Sequence, residues 1–367
     1  MVLLIAPSAA MAGEGAAAAG IVNTWDFSPV IVIPTLLVLA IYAAGLERRP
    51  GAFDASPWRH MAFFWGGGMT FLSLASPIDA LADHLFFMHQ VQHMLIRVIG
   101  PMLIALAQPQ ATLIAGLPAS VRRKVLGPVA SAGPVSALFR FLTRPVVATA
   151  LFVASLYIWQ WPPLHDAAIL HQPIHDVMHF TMLAAGLLFF WRVFDQRGTP
   201  KGVPFGARLM MLWVAVLANI PIGAYISFKS HELYSAYDVV GRLFGISPMD
   251  DERLGGFIMQ APSSMMMLVA VIAVIHAWGR FEERVDDRRL SLIAVAPTAA
   301  APAPAVGQTR RNRALALGLG AFAACMLGAA VTVGVLAAYG HARPPTRMNL
   351  SGVGPAPTGT VAVGAKL

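Results

Sequence analysis

Eight stretches of this chain are apolar for long enough to cross a lipid bilayer, and that constraint leaves few folds open to it. They lie at about 28–46, 59–76, 84–107, 145–162, 174–194, 207–228, 256–278 and 313–339. A spanning helix needs ~20 apolar residues. Hydrocarbon offers the backbone no partners, and a helix satisfies its own N–H and C=O groups. The composition agrees, with 57% hydrophobic and 12% charged residues, where soluble domains carry roughly 25% charged. The expected fold class is therefore all-α: a polytopic membrane helix bundle of seven core transmembrane helices plus one appended C-terminal helix.

The formal net charge of +8 does not point to nucleic acid. Arg48, Arg49 and Arg59 fall in one inter-segment loop, and Arg122, Arg123, Lys124, Arg140 and Arg144 in a second. Arg192, Arg197 and Lys201 fall in a third, and Arg280, Arg284, Arg288, Arg289, Arg310 and Arg311 in a fourth. The alternate loops 77–83 and 163–173 contain no Lys or Arg, and 229–255 is mixed. This alternation is a positive-inside pattern. It places the N-terminus outside and the basic loops in the cytoplasm. Segment 109–143, with its prolines and basic cluster, is expected to lie along the interface as short amphipathic helices.

The domain reading follows. Residues 1–27 form an N-terminal outer segment: Ala10-Met11-Ala12 has the small-x-small pattern of a signal cleavage site, but the basic start of a signal is missing. Residues 28–290 form the seven-helix membrane core, 291–312 an Ala/Pro-rich cytoplasmic linker, 313–340 the eighth helix and 341–367 a disordered tail. The one cysteine, Cys325, excludes a disulfide framework and any Cys-x-x-Cys site.

Ionisable residues inside apolar segments are costly and mark pathways or sites. Two groups stand out: His84, Met88, His89, Gln92, His93 and Met94 in segment 84–107, and His171, His175, Asp176, His179 and Met182 around segment 174–194. His89 and His93 share a helix face, as do His175 and His179, because residues four apart are neighbours. His84 is about 180° from His93 and is expected at the helix entrance. Both segments enter from the same side, so the two pairs lie at matching depth and can converge. Neutral imidazole with thioether suits a soft or borderline metal such as copper. Met259, near the outer end of segment 256–278, and Met182 add thioethers at similar depth. Asp176 is a candidate to orient His175, or else faces the outer water. Asp79 and Asp83 either attract cations or cap the following helix. Met265, Met266 and Met267 cover all sides of a helix and read as apolar filler. Haem is the chemical rival, but partners within each helix are only ~6 Å apart along the axis, too close for two macrocycles.

At these residues the chain resembles a known family. Trp25 to Pro29, Arg59 to Phe63, Ser76 to Asp79, His89 to Met94, Gly100-Pro101, His175, His179, Gly186 to Trp191 and Asp251 to Met259 follow in order. Together they are similar to the CtaG-type family of cytochrome c oxidase assembly proteins, over about residues 21–284. The resemblance implies an integral membrane factor, not an enzyme, that delivers copper to a haem–copper oxidase. It implies oxidase subunits as partners, with periplasmic copper chaperones as candidate donors, and the bacterial plasma (inner) membrane as location. It places the metal on His89, Gln92, His93, His175, His179 and Met259, with Cu(I) as the preferred state. Gln90 stands where that family commonly has Met.

Three other functions are open at this stage: a haem-binding membrane redox protein, a copper permease, and a scaffold for oxidase subunits. A permease needs donors continuing toward the cytoplasm, and beyond the histidines the two segments offer only Arg97, Met102 and Trp191.

Overall fold

The structure is a computed structural model, which describes residue 20 and residues 24–49, 56–195, 197 and 202–295. Among these residues all regular secondary structure is helical. In chain order the helices are α1 (Pro29–Glu47), α2 (Pro57–Ala75), α3 (Pro77–Ala82), α4 (Phe86–Ala107), α5 (Gln110–Gly116), α6 (Ala119–Ser131), α7 (Gly133–Leu142), α8 (Pro145–Trp159), α9 (Pro162–Leu170), α10 (Gln172–Val193), α11 (Phe205–Phe228), α12 (Ala236–Val240) and α13 (Pro248–Val295). Many begin on proline, whose missing N–H is no loss in a first turn. Residues 95–99 of α4 form a π-turn.

The seven core segments correspond to α1, α2, α4, α8, α10, α11 and α13. Of these, α1, α4, α10, α11 and α13 are each long and apolar enough to cross a membrane. Helix α8 is shorter and is followed, after a bend of 74°, by α9. Helix α2, which carries Arg59, His60, Thr70 and Ser73, is not among those five. Segment 109–143 forms α5, α6 and α7; α6 and α7 meet at a bend of 71°. Val125, Leu138 and Phe141 on them are exposed among their basic residues, as an interfacial segment requires. Helix α13 runs through residues 291–295, where the linker is expected to begin. The rest of that linker, the eighth helix, the tail and nearly all of residues 1–23 lie outside the described residues.

The polarity of the core is inverted relative to a soluble protein. Val146 is 80% exposed, Val30 77% and Phe180 71%, while His89, His93, Arg97, His165, His175 and His179 are buried. This is the pattern of a multi-pass membrane protein, with lipid as solvent and the polar groups gathered inside. One apolar core packs Phe152, Phe189, Phe190, Leu212 and Met267. A second joins Phe86, Leu156, Ile226, Tyr234, Tyr237 and Met259.

Two glycines let α4 approach its neighbours. A Cβ on Gly186 of α10 would collide with the Arg97 carbonyl, and one on Gly66 of α2 would meet Gly100 and Ile104 of α4. Within the glycine run 66–68, Gly66 makes this close approach, as small residues between membrane helices allow, while Gly68 faces open space. The remaining anchor is ionic. At the start of α13, the Asp251 carboxylate accepts the Phe86 and Phe87 N–H groups at 3.0 and 2.9 Å and pairs with Arg242. It thus caps α4 from another helix. Glu252 pairs with Lys229 and accepts the N–H groups of Leu233 and Tyr234, each at 3.0 Å. Asp251 and Glu252 are wholly buried. Removing one member of a buried, hydrogen-bonded pair leaves the other charge uncompensated, which costs about 3–5 kcal/mol. Asp251→Ala is therefore expected to destabilise the protein by about that amount, read as a lower melting temperature in detergent, whereas Asp250→Ala, on the exposed neighbour, leaves it unchanged.

Candidate metal centre

Helix α4 presents His89 and His93 inward; α10 presents His175 and His179. Four-residue spacing puts each pair on one face, and the glycine contact at Gly186 brings the faces together. Ring centroids lie 4.3 Å apart for His89–His93, 4.3 Å for His175–His179, 5.3 Å for His89–His175, 5.8 Å for His89–His179 and 5.7 Å for His93–His179. The Nε2 atoms of His89 and His93 are 2.8 Å apart. Ligand nitrogens of His89, His175 and His179 lie within 4.8 Å of one another.

Several of these buried nitrogens have no protein partner: Nδ1 of His89 and His93, and Nε2 of His175 and His179. Buried polar atoms are seldom left so, and those that are call for an explanation. An ion among the rings would account for Nε2 of His175 and His179, whereas His89 and His93 turn Nε2 toward each other and keep Nδ1 unmatched. At a metal–nitrogen distance of ~2.0 Å, two imidazoles on one ion hold their nitrogens about 2.8 Å apart at a right angle and about 4 Å apart when linear. The His89–His93 pair is already at the narrow limit; the wider triad would close a little around an ion. The donor set, several neutral imidazoles with no carboxylate at the centre, suits copper or zinc.

A fifth ring belongs to the cluster that the sequence did not single out. His165, on α9, has its centroid 5.0 Å from His89 and 6.4 Å from His93. Its Nδ1 lies 2.9 Å from the Trp159 carbonyl, which can only accept, so Nδ1 carries the proton. Its Nε2 accepts from the Tyr237 hydroxyl at 2.9 Å. Both nitrogens are thus committed, which separates His165 from the four open rings. Its only sequence signal was a lone histidine soon after Pro162-Pro163, in a stretch expected to be loop.

The other expected residues fall as follows. Gln92 is buried but turns away from the rings: its amide donates to the Ser73 carbonyl at 2.8 Å and to Asp79. Gln90 accepts from Gln160 at 2.7 Å. Met182 packs with Trp159, Ala168 and Met178, and Met259 with Phe86, Tyr234 and Tyr237. Asp176 is exposed and accepts from Gln172. The carboxylate beside His175 is Asp83 instead, with Oδ1 3.7 Å from His175 Nδ1 and its side chain 42% exposed. Nδ1 of His175 thus faces Asp83, and its Nε2 is the nitrogen left without a protein partner. Asp83 does not cap α4; Asp251 does. Ser76 caps α3 by accepting the Ile78 N–H. His84 donates from Nδ1 to the Gly241 carbonyl at 2.7 Å at the helix entrance, and His171 is exposed just before α10.

Fold and site together define a multi-pass membrane protein built around an internal cluster of imidazoles. The chain belongs to the cytochrome c oxidase caa3 assembly factor family (Caa3_CtaG), whose profile matches residues 37–280. Uncharacterised proteins of Mycobacterium bovis and Mycobacterium tuberculosis are each 25% identical over 276 residues, covering 74% of this chain and 42% of theirs. An uncharacterised protein of Mycobacterium leprae is 25% identical over 268 residues, covering 72% of this chain and 40% of its own. The chain thus spans about two fifths of the length of these curated relatives. No solved structure matches it at a significant level.

At the far end of the Gln92 amide, burial pushes the Asp79 carboxyl up to about 7; the Asp83 charge adds to this and the Gln92 hydrogen bond opposes it. A carboxyl with a raised pKa favours the fold while protonated. Its contribution is full below the unfolded value of about 4 and is lost as pH rises through about 7. Melting temperature is expected to fall between about pH 4 and 7, and Asp79→Asn, which keeps a neutral side chain of the same shape, is expected to flatten that slope.

Proposed function

We propose that this assembly factor carries copper, as Cu(I), on His89, His93, His175 and His179, and hands it to an oxidase subunit at the outer face of the bacterial plasma membrane. The observation that carries this reading is the convergence of four buried imidazoles from two helices, with several nitrogens lacking any protein partner. The positive-inside pattern supports the outer face. The cluster then lies toward the side where Asp83 meets water, and copper supplied by a periplasmic chaperone would enter and leave past His175. Imidazoles anchor the ion, and transfer needs only ligand exchange. Thioether help from Met182 or Met259 would require either to leave its apolar packing. The copper is cargo, and no covalent step is required of the chain, consistent with a non-enzymatic role.

A porphyrin fits this arrangement poorly. The rings contact one another directly, so a macrocycle would have to force them apart.

Detergent-purified protein, loaded with Cu(I) in competition with a chelator, tests the reading. Wild type is expected to retain copper, and the paired change His89→Ala with His179→Ala to lose it while keeping its helical circular-dichroism spectrum. Equal retention by both proteins would discard the cluster as the site. In cells, the same double variant is expected to yield oxidase lacking copper.

A further inference from the structure

One turn beyond His93, α4 holds a cation that the copper reading does not use. Arg97 is 6% exposed and sits within the π-turn of residues 95–99. Its Nη2 donates to the Phe152 carbonyl at 2.7 Å and its Nε to the Ser155 hydroxyl at 3.3 Å. Its guanidinium carbon lies 3.7 Å from the centre of the Phe152 ring. Among the described residues no carboxylate pairs with it. A guanidinium stays charged in almost any surroundings, and here it is held by a carbonyl, a hydroxyl and a ring face, which satisfy it without neutralising it.

The position gives this charge a consequence. Four residues of helix separate Arg97 from His93, about 6 Å along the axis. Residues four apart share a helix face, so Arg97 follows His93 on the same side of α4. On the opposite side of the rings stands Asp83. The cluster therefore lies between a carboxylate near water and an unneutralised cation in the core. Arg97 itself lines a small cavity, with Phe152, Asn219, Ser263 and Met267.

We propose that Arg97 is a fixed positive charge set behind the imidazoles to weaken their hold on a bound cation, so that the ion can be passed on. It touches no ligand nitrogen and acts through the field alone. The inference rests on the reading that the cluster carries copper.

The test is Cu(I) affinity of the full-length protein, measured by competition with a chelator. Arg97→Gln is expected to bind copper about tenfold more tightly than wild type, the size of effect a unit charge at this range exerts in a partly screened interior. Arg97→Lys, which keeps the charge, is expected to restore wild-type affinity. Because Arg97→Gln gives up bonds to Phe152 and Ser155, a second variant leaves Arg97 in place: Ser155→Asp puts a carboxylate against it and is expected to tighten binding as well. Copper binding by wild type with unchanged affinity in Arg97→Gln and Ser155→Asp would overturn the role of Arg97 and leave the copper site standing. Wild-type protein that binds no copper would overturn both.

Discussion

The close approach of α4 and α10 is the constraint on which the interior depends. Gly186 has no side chain, so α10 lies against the Arg97 carbonyl. With any larger residue there, the two helices would stand apart, and the histidine pairs one to three turns away would not meet. The same face of α4 is held at its start by Asp251, which supplies its cap from α13. A helix whose first N–H groups are capped from another helix cannot slide along its axis without losing hydrogen bonds that lipid will not replace. Position along the axis is what brings His89 level with His175.

Water and lipid then divide the labour. Lipid receives the apolar side chains that line the outside, and the interior gathers what lipid cannot take. His165 shows how completely the interior is arranged: Trp159 fixes its proton on one nitrogen and Tyr237 covers the other. The four rings beside it keep open nitrogens. The contrast between a closed imidazole and four open ones, within one cluster, is the strongest sign that the open ones serve a ligand.

The sequence showed the histidine pairs because their signal is local. Spacing of four residues on an apolar background marks a shared inward face without any knowledge of the partner helix. Gln92 entered the candidate set through the family resemblance and not through spacing, and its amide reaches across to Ser73 and Asp79. A residue one position from His93 is rotated by about 100°, enough to aim at α2 and not at α10. Asp176 was the nearest acid to His175 along the chain, whereas Asp83, far away in sequence, is the nearest in space. His165 escaped notice because a lone histidine in a short helix has no periodicity to reveal it. Asp251 and Glu252 looked like loop acids; only the fold shows them buried as caps and ion-pair partners.

By itself the sequence determined the helical class, the order of the spans, the basic loops and the two faces that carry histidine, since each of these follows from composition and period along one segment. Only the tertiary structure decided which faces meet, at what height, and which polar groups turn toward the cluster or away from it. Those outcomes depend on contacts between residues distant in the chain, where a missing Cβ or a single carboxylate sets the distance between helices, and no periodicity within one helix encodes them.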